Sequence, residues 1–250
     1  MTFVLIPGAG GLAWEWHRLE AELRALGHDV LSIELPAGDD SAGLAEYADT
    51  VVDAIGDRTG IVLVAQSFGG FTAPLVCERV QVELLVLLNA MVPLPGETFG
   101  EWWANTDHGS AYRDYAATLG LTPADLQDDR VVYYHDLPDD LVEEALRLDS
   151  DQSSTPLDQP WPLERWPDVP TRVLSGRDDR MFPAVFQRRV ARERLGLDAD
   201  EIPGGHMVAL ANPKGLAERL DRYAAEVSRG SRDSAAAPER AAGSARRVRP

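Results

Sequence analysis

The run Ile61-Val62-Leu63-Val64-Ala65-Gln66-Ser67-Phe68-Gly69-Gly70 constrains this chain more than any other stretch. Its β-branched start reads as a buried strand, and Phe71 to Arg79 beyond it suits a helix. A serine at the apex of a strand-to-helix turn is a nucleophile elbow, where strained backbone demands small neighbours. The usual pattern is G-x-S-x-G; Ala65 stands in for the first glycine and is still small. By itself the pentapeptide fits equally well a tight strand–helix junction around a buried serine. A base, an orienting acid and an oxyanion hole must come from elsewhere.

The surrounding pattern predicts a parallel sheet. Thr2 to Ile6 reads as a strand, followed by the loop Pro7-Gly8-Ala9-Gly10-Gly11 and a helix over Trp14 to Leu26 that stops at Gly27. Asp29 to Leu35 reads as a strand, Leu44 to Ile55 as an amphipathic helix, and Gly60 to Ala65 as the strand entering the elbow. Val82 to Leu88 is a further buried strand. Strands alternating with helices of this length call for βαβ units, hence an α/β fold with a mostly parallel central sheet flanked by helices. From Met91 to about Trp166 the alternation breaks into helix-like pieces rich in aromatics. Residues 91–166 are therefore expected to form an inserted helical cap on a core made of 1–90 and 167–228. Thr171 to Ser175 and Ala199 to Ile202 complete the strands, with a helix over Pro183 to Leu195 between them. A last helix, Leu216 to Val227, takes Asn212 as its N-cap.

Charge narrows the partners. The net charge is −17, which argues against nucleic acid and anionic membrane, since both need a basic footprint. Residues 229–250 hold six arginines against Asp233 and Glu239, a net of +4, so residues 1–228 carry −21. That final stretch has little to bury and is expected to be disordered. The single cysteine, Cys77, excludes an intrachain disulfide framework. With no basic-flanked apolar leader and no membrane-length apolar run, it points to a cytoplasmic protein.

Candidate chemistry gathers at the expected C-terminal ends of strands, where open parallel sheets place their sites. Ser67 follows one strand, Asp178 and Asp179 follow another, and His206 follows the last. Serine at neutral pH needs histidine to take its proton and later return it, and a carboxylate to hold the imidazole in the correct tautomer. His206, after Gly204-Gly205 and a strand, suits that work better than His17, His28, His108 or His135. None of the five shows metal-site spacing such as H-E-x-x-H, and neither metal nor cofactor is expected. Asp178 and Asp179 both remain open as the acid. The oxyanion hole needs two backbone N–H groups, expected from Phe68, after the serine, and Ala9, in the glycine-rich loop. Among the cap aromatics, Trp102, Trp103 and Tyr133 are candidates for lining a substrate pocket.

These residues together resemble the α/β-hydrolase branch that contains plant methylesterases and hydroxynitrile lyases. Pro7 to Trp16 looks like its H-G-x-x-x-x-x-W-x-W opening, and the Ser67 elbow, the Asp179 loop running into Phe186-Gln187, and Gly205-His206 match in order. The resemblance spans roughly residues 2–227. It implies an α/β-hydrolase fold, Ser67 as nucleophile, His206 as base, Asp179 rather than Asp178 as acid, and Ala9 and Phe68 as oxyanion donors. Pro7 departs from the family's histidine. Cyanohydrin-cleaving members carry a lysine after the catalytic histidine and a threonine in the oxyanion loop, where this chain has Met207 and Gly8. The expected activity is hydrolysis of a small carboxylic ester. The alternatives are a small-molecule receptor with a vestigial triad, or a lyase or cyclase on the same fold.

Overall fold

A computed structural model describes residues 1–148 and 151–235, the last six as backbone only. Six strands form one sheet: β1 (Thr2–Ile6), β2 (Asp29–Ser32), β3 (Ile61–Ser67), β4 (Val82–Ala90), β5 (Thr171–Gly176) and β6 (Ala199–Ile202). Their order is β2-β1-β3-β4-β5-β6, and every pairing is parallel. The order reverses between β1 and β3, which opens a crevice at their C-terminal ends.

The helices, in chain order, are α1 (His17–Ala25), α2 (Leu44–Ile55), α3 (Gly69–Cys77), α4 (Phe99–Asn105), α5 (His108–Thr118), α6 (Asp129–Val132), α7 (Asp139–Leu148), α8 (Thr155–Asp158), α9 (Ala184–Leu195), α10 (Val208–Ala211) and α11 (Pro213–Ala235). Both faces of the sheet are covered, so its central strands β1, β3 and β4 read as near-continuous apolar runs rather than alternating ones. Val4, Ile6, Leu63 and Leu85 pack with residues of α2, α3 and α9 on one face. Phe3, Leu5, Val62, Val64 and Val86 pack with α1 and α11 on the other.

Differences from the sequence expectation have local causes. β2 ends at Ser32 rather than Leu35, because the chain leaves the ladder to follow the loop after β1. The Ile33 N–H still donates to Leu5 of β1, while the Leu35 N–H donates to Gly11 in that loop. The strand into the elbow continues through Ser67 itself. Between β4 and β5 the described residues hold helices α4 to α8 and no strand. Asn212 caps α11 with its side-chain oxygen, which accepts from the Gly215 N–H at 3.2 Å. α11 runs past Val227 to Ala235, so the segment expected to be disordered from 229 begins as helix; the rest of it lies outside the described residues. Among the described residues, no helix is long and apolar enough to cross a membrane.

Candidate active site

Ser67 ends β3 with φ of +51°, a left-handed conformation that costs a non-glycine residue free energy and turns the chain sharply into α3. Close packing behind the turn explains the glycines that follow. A Cβ on Gly70 would collide with the carbonyl oxygen of Met91, just beyond β4. Phe68 is the N-cap of α3, and its buried ring packs on Phe71 and Phe99.

His206 and Asp179 meet at the other strand ends. Nδ1 of His206 lies 2.9 Å from Oδ2 of Asp179, and the two residues are 2% and 0% exposed. Burying a carboxylate so completely requires that its oxygens be partnered. Oδ1 accepts the backbone N–H groups of Met181 (2.8 Å) and Phe182 (2.9 Å). The imidazole is wedged edge-on between the rings of Phe182 and Tyr133. Asp178, the competing acid, faces outward and pairs with Arg177, while its Oδ2 accepts the Gly204 N–H.

Ser67, His206, Gly8, Ala9 and Tyr133 line one cavity of about 190 Å³. Asp179 touches it only through the imidazole. In the loop after β1, the Gly10 N–H donates to Gln152 Oε1 (3.0 Å) and the Gly11 N–H to the Gly8 carbonyl (3.2 Å). Burial pushes the Tyr133 phenol up to about 12, with the charge of Asp129 adding to the effect, so it presents a neutral ring.

Two expected pocket residues lie elsewhere. Trp102 is fully buried and donates its indole N–H to the Val92 carbonyl at 3.2 Å. Trp103 packs against Phe99, His108 and Phe182. Neither lines the cavity; both fasten α4 to the core instead. The cavity wall is completed by Met207, already noted after the histidine, and by residues not expected to line it, among them Glu15, Gln66, Asp129 and Tyr134. Position gave a signal for Gln66, which precedes the elbow serine. For Asp129 and Tyr134, set by the packing of α6, there was none.

The model of the family described as "Alpha/beta hydrolase family" matches residues 3–219. A rice protein named "Probable esterase PIR7A" is 35% identical over 112 residues, which cover 39% of this chain and 42% of that protein, so the chain spans about two fifths of the rice protein's length. An Arabidopsis thaliana protein named "Alpha-hydroxynitrile lyase" is 24% identical over 250 residues, covering 90% of this chain and 97% of that one. Among solved structures, a Paenibacillus protein described as an extracellular alpha/beta-hydrolase aligns with a TM-score of 0.72 at 23% identity, over 89% of this chain and 98% of its own. The Arabidopsis methylesterase MES16 aligns at 0.70 and 21% identity, over 90% and 99%. The structural likenesses agree with the parallel sheet, and with the family match extending over most of its length, the chain belongs to the alpha/beta hydrolase family.

Proposed function

We propose that this protein is a serine hydrolase that cleaves a small carboxylic ester through an acyl-enzyme. The observation that carries the reading is the 2.9 Å contact between Asp179 and His206, with His206 and Ser67 lining the same cavity. His206 takes the proton of Ser67 as Oγ attacks the ester carbonyl, and Asp179 stabilises the imidazolium that forms. The tetrahedral oxyanion is held by the backbone N–H groups of Phe68 and Ala9. Ala9 is favoured within its loop because the N–H groups of Gly10 and Gly11 are donated elsewhere. The intermediate collapses, His206 returns its proton to the departing alcohol, and a water activated by the same imidazole releases the acid.

The cavity of about 190 Å³ beside Ser67 and His206 leaves room for a short acyl or alcohol group. Tyr133 forms part of its wall. Met207, a neutral thioether beside His206, offers no cation to a leaving cyanide, which favours hydrolysis over cyanohydrin cleavage. The lone cysteine supports a reducing, cytoplasmic setting.

The test gives purified protein short p-nitrophenyl esters and a fluorophosphonate probe, beside Ser67→Ala. Turnover and labelling should both vanish in the variant, with kcat down about 10⁴- to 10⁶-fold. Ligand binding without turnover or labelling in the unmodified protein would favour a receptor instead.

A further inference from the structure

Asn89 is fully buried and adopts φ of +45°, at a break in the β3–β4 register directly opposite the elbow. Gln66 pairs with Leu88 and Ser67 with Ala90, so Asn89 is the extra residue of a bulge. A bulge re-aims the side chain it carries, and here it turns the amide into the junction of two loops. Oδ1 accepts the N–H of Gly176, at the start of the loop leading to Asp179, at 2.5 Å. Nδ2 donates to the carbonyls of Gly205 and His206, each at 3.0 Å. An N–H only donates and a carbonyl only accepts, so these partners determine which way the amide faces.

We propose that Asn89 is a positioning residue of this site, its amide joining the loop that bears Asp179 to the loop that bears His206. The proposal rests on the hydrolase reading for its functional consequence. Three further observations support it. Gln187 Nε2 donates to Asn89 Oδ1 (3.2 Å) and to the Phe182 carbonyl (2.7 Å), and lies 3.5 Å from Asp179 Oδ2, extending the bracket to the acid itself. The His206 carbonyl takes a second, longer contact from Gln66 Nε2 at 3.4 Å, so the serine strand reaches the histidine backbone as well. Finally, the two loops close so tightly around the amide that only glycine fits at 176. A Cβ there would stand 2.6 Å from the Gly205 oxygen, 2.7 Å from the Gly204 oxygen and 3.1 Å from Asn89 Nδ2.

Neither Asn89 nor Gln187 lines the cavity, so loss of their bonds should reach the chemistry through geometry and leave substrate binding alone. Asn89→Gly keeps the left-handed backbone accessible while removing the amide. It should lower kcat about 10- to 100-fold with KM within about twofold, the pattern of a displaced catalytic group. The downfield proton resonance of the His206 Nδ1 to Asp179 hydrogen bond should weaken or disappear with it. Asn89→Asp, which turns an oxygen toward two carbonyls, should do the same.

A folded Asn89→Gly protein with unmodified kcat and an intact downfield signal would overturn the proposal, because the position would then need only its backbone conformation. If neither Asn89 variant folds, Gln187→Met decides. Lowered kcat with a weakened signal supports the bracket, and no change in either overturns it. The proton signal is read without substrate, so failure of the unmodified protein to cleave esters would remove the hydrolase reading and leave the positioning test standing.

Discussion

Oδ2 of Asp136 accepts the backbone N–H of Gly205, the residue before His206, at 2.6 Å. Beside it, His135 Nε2 lies 3.1 Å from the carbonyl oxygen of Asp178, the residue before Asp179. Two adjacent residues between β4 and β5 therefore grip both of the loops that carry the His206–Asp179 pair. Asp136→Ala leaves the Gly205 N–H without its acceptor. Urea denaturation should show a loss of about 1–3 kcal/mol, and Asp136→Asn, whose amide oxygen still accepts, should lose less. Equal losses in the two variants would count against this contact.

Asp179→Asn should keep the fold and lose the reaction. An amide in place of the carboxylate can turn its NH₂ toward the imidazole and favour the wrong tautomer, at a cost of about 10⁴-fold in kcat. Steady-state kinetics with a short p-nitrophenyl ester checks this. Asp178→Asn is the comparison, and should leave kcat within a few-fold because its side chain pairs with Arg177 away from the cavity.

Tyr133 and Trp102 should separate binding from stability. Tyr133→Ala removes a cavity wall beside His206, so KM should rise and short substrates should lose selectivity over longer ones. Trp102→Ala empties a fully buried site and should cost about 3–5 kcal/mol in denaturation. If Trp102→Ala changed KM while leaving stability intact, the placement of the cavity would be wrong.

Stability should fall on mild acidification, in part through His108. Burial holds this imidazole below its usual value of about 6.5, outweighing the opposing hydrogen bond from its Nε2 to the Met181 carbonyl at 2.7 Å. Between the native value and about 6.5 the unfolded chain binds more protons than the folded one. The His108 contribution is thus complete above about 6.5 and declines as pH falls through that window. Urea midpoints measured from pH 7.5 down to 5.5 should drop more steeply for the unmodified protein than for His108→Phe.

Cys77 should be a poor nucleophile in the native state. Burial, reinforced by the charge of Glu78, pushes its thiol up to about 12, so thiolate is scarce at neutral pH. Alkylation by iodoacetamide, followed by mass spectrometry, should be slow at pH 7.5, faster as pH rises, and rapid once urea unfolds the protein. Fast alkylation of the native protein at pH 7.5 would contradict this half-buried, desolvated setting.

The apolar runs at Thr2–Ile6, Ile61–Ala65 and Val82–Leu88, alternating with helix-length segments, determined a parallel sheet without reference to any contact, because parallel strands need helical crossovers and are buried on both faces. The elbow at Ser67 and the Gly-Gly-His ending at His206 were legible for a similar reason: sharp turns at strand ends demand small residues locally. The family resemblance then separated Asp179 from Asp178, two neighbours that pattern alone left equivalent. Which aromatics between β4 and β5 face the cavity was a different kind of question. Trp103 and Tyr133 are both half-buried aromatics in the same stretch, and only the packing of α4 against Phe182, and of α6 above His206, sends one to the core and the other to the site. Asn89 shows the same division. Its sequence position is an unremarked polar residue closing an apolar strand, and its place between the two loops comes from a bulge that exists only when β3 and β4 pair. Local propensity is written in neighbouring residues, whereas the meeting of positions 67, 89, 179 and 206 depends on strand register and loop closure across the whole sheet.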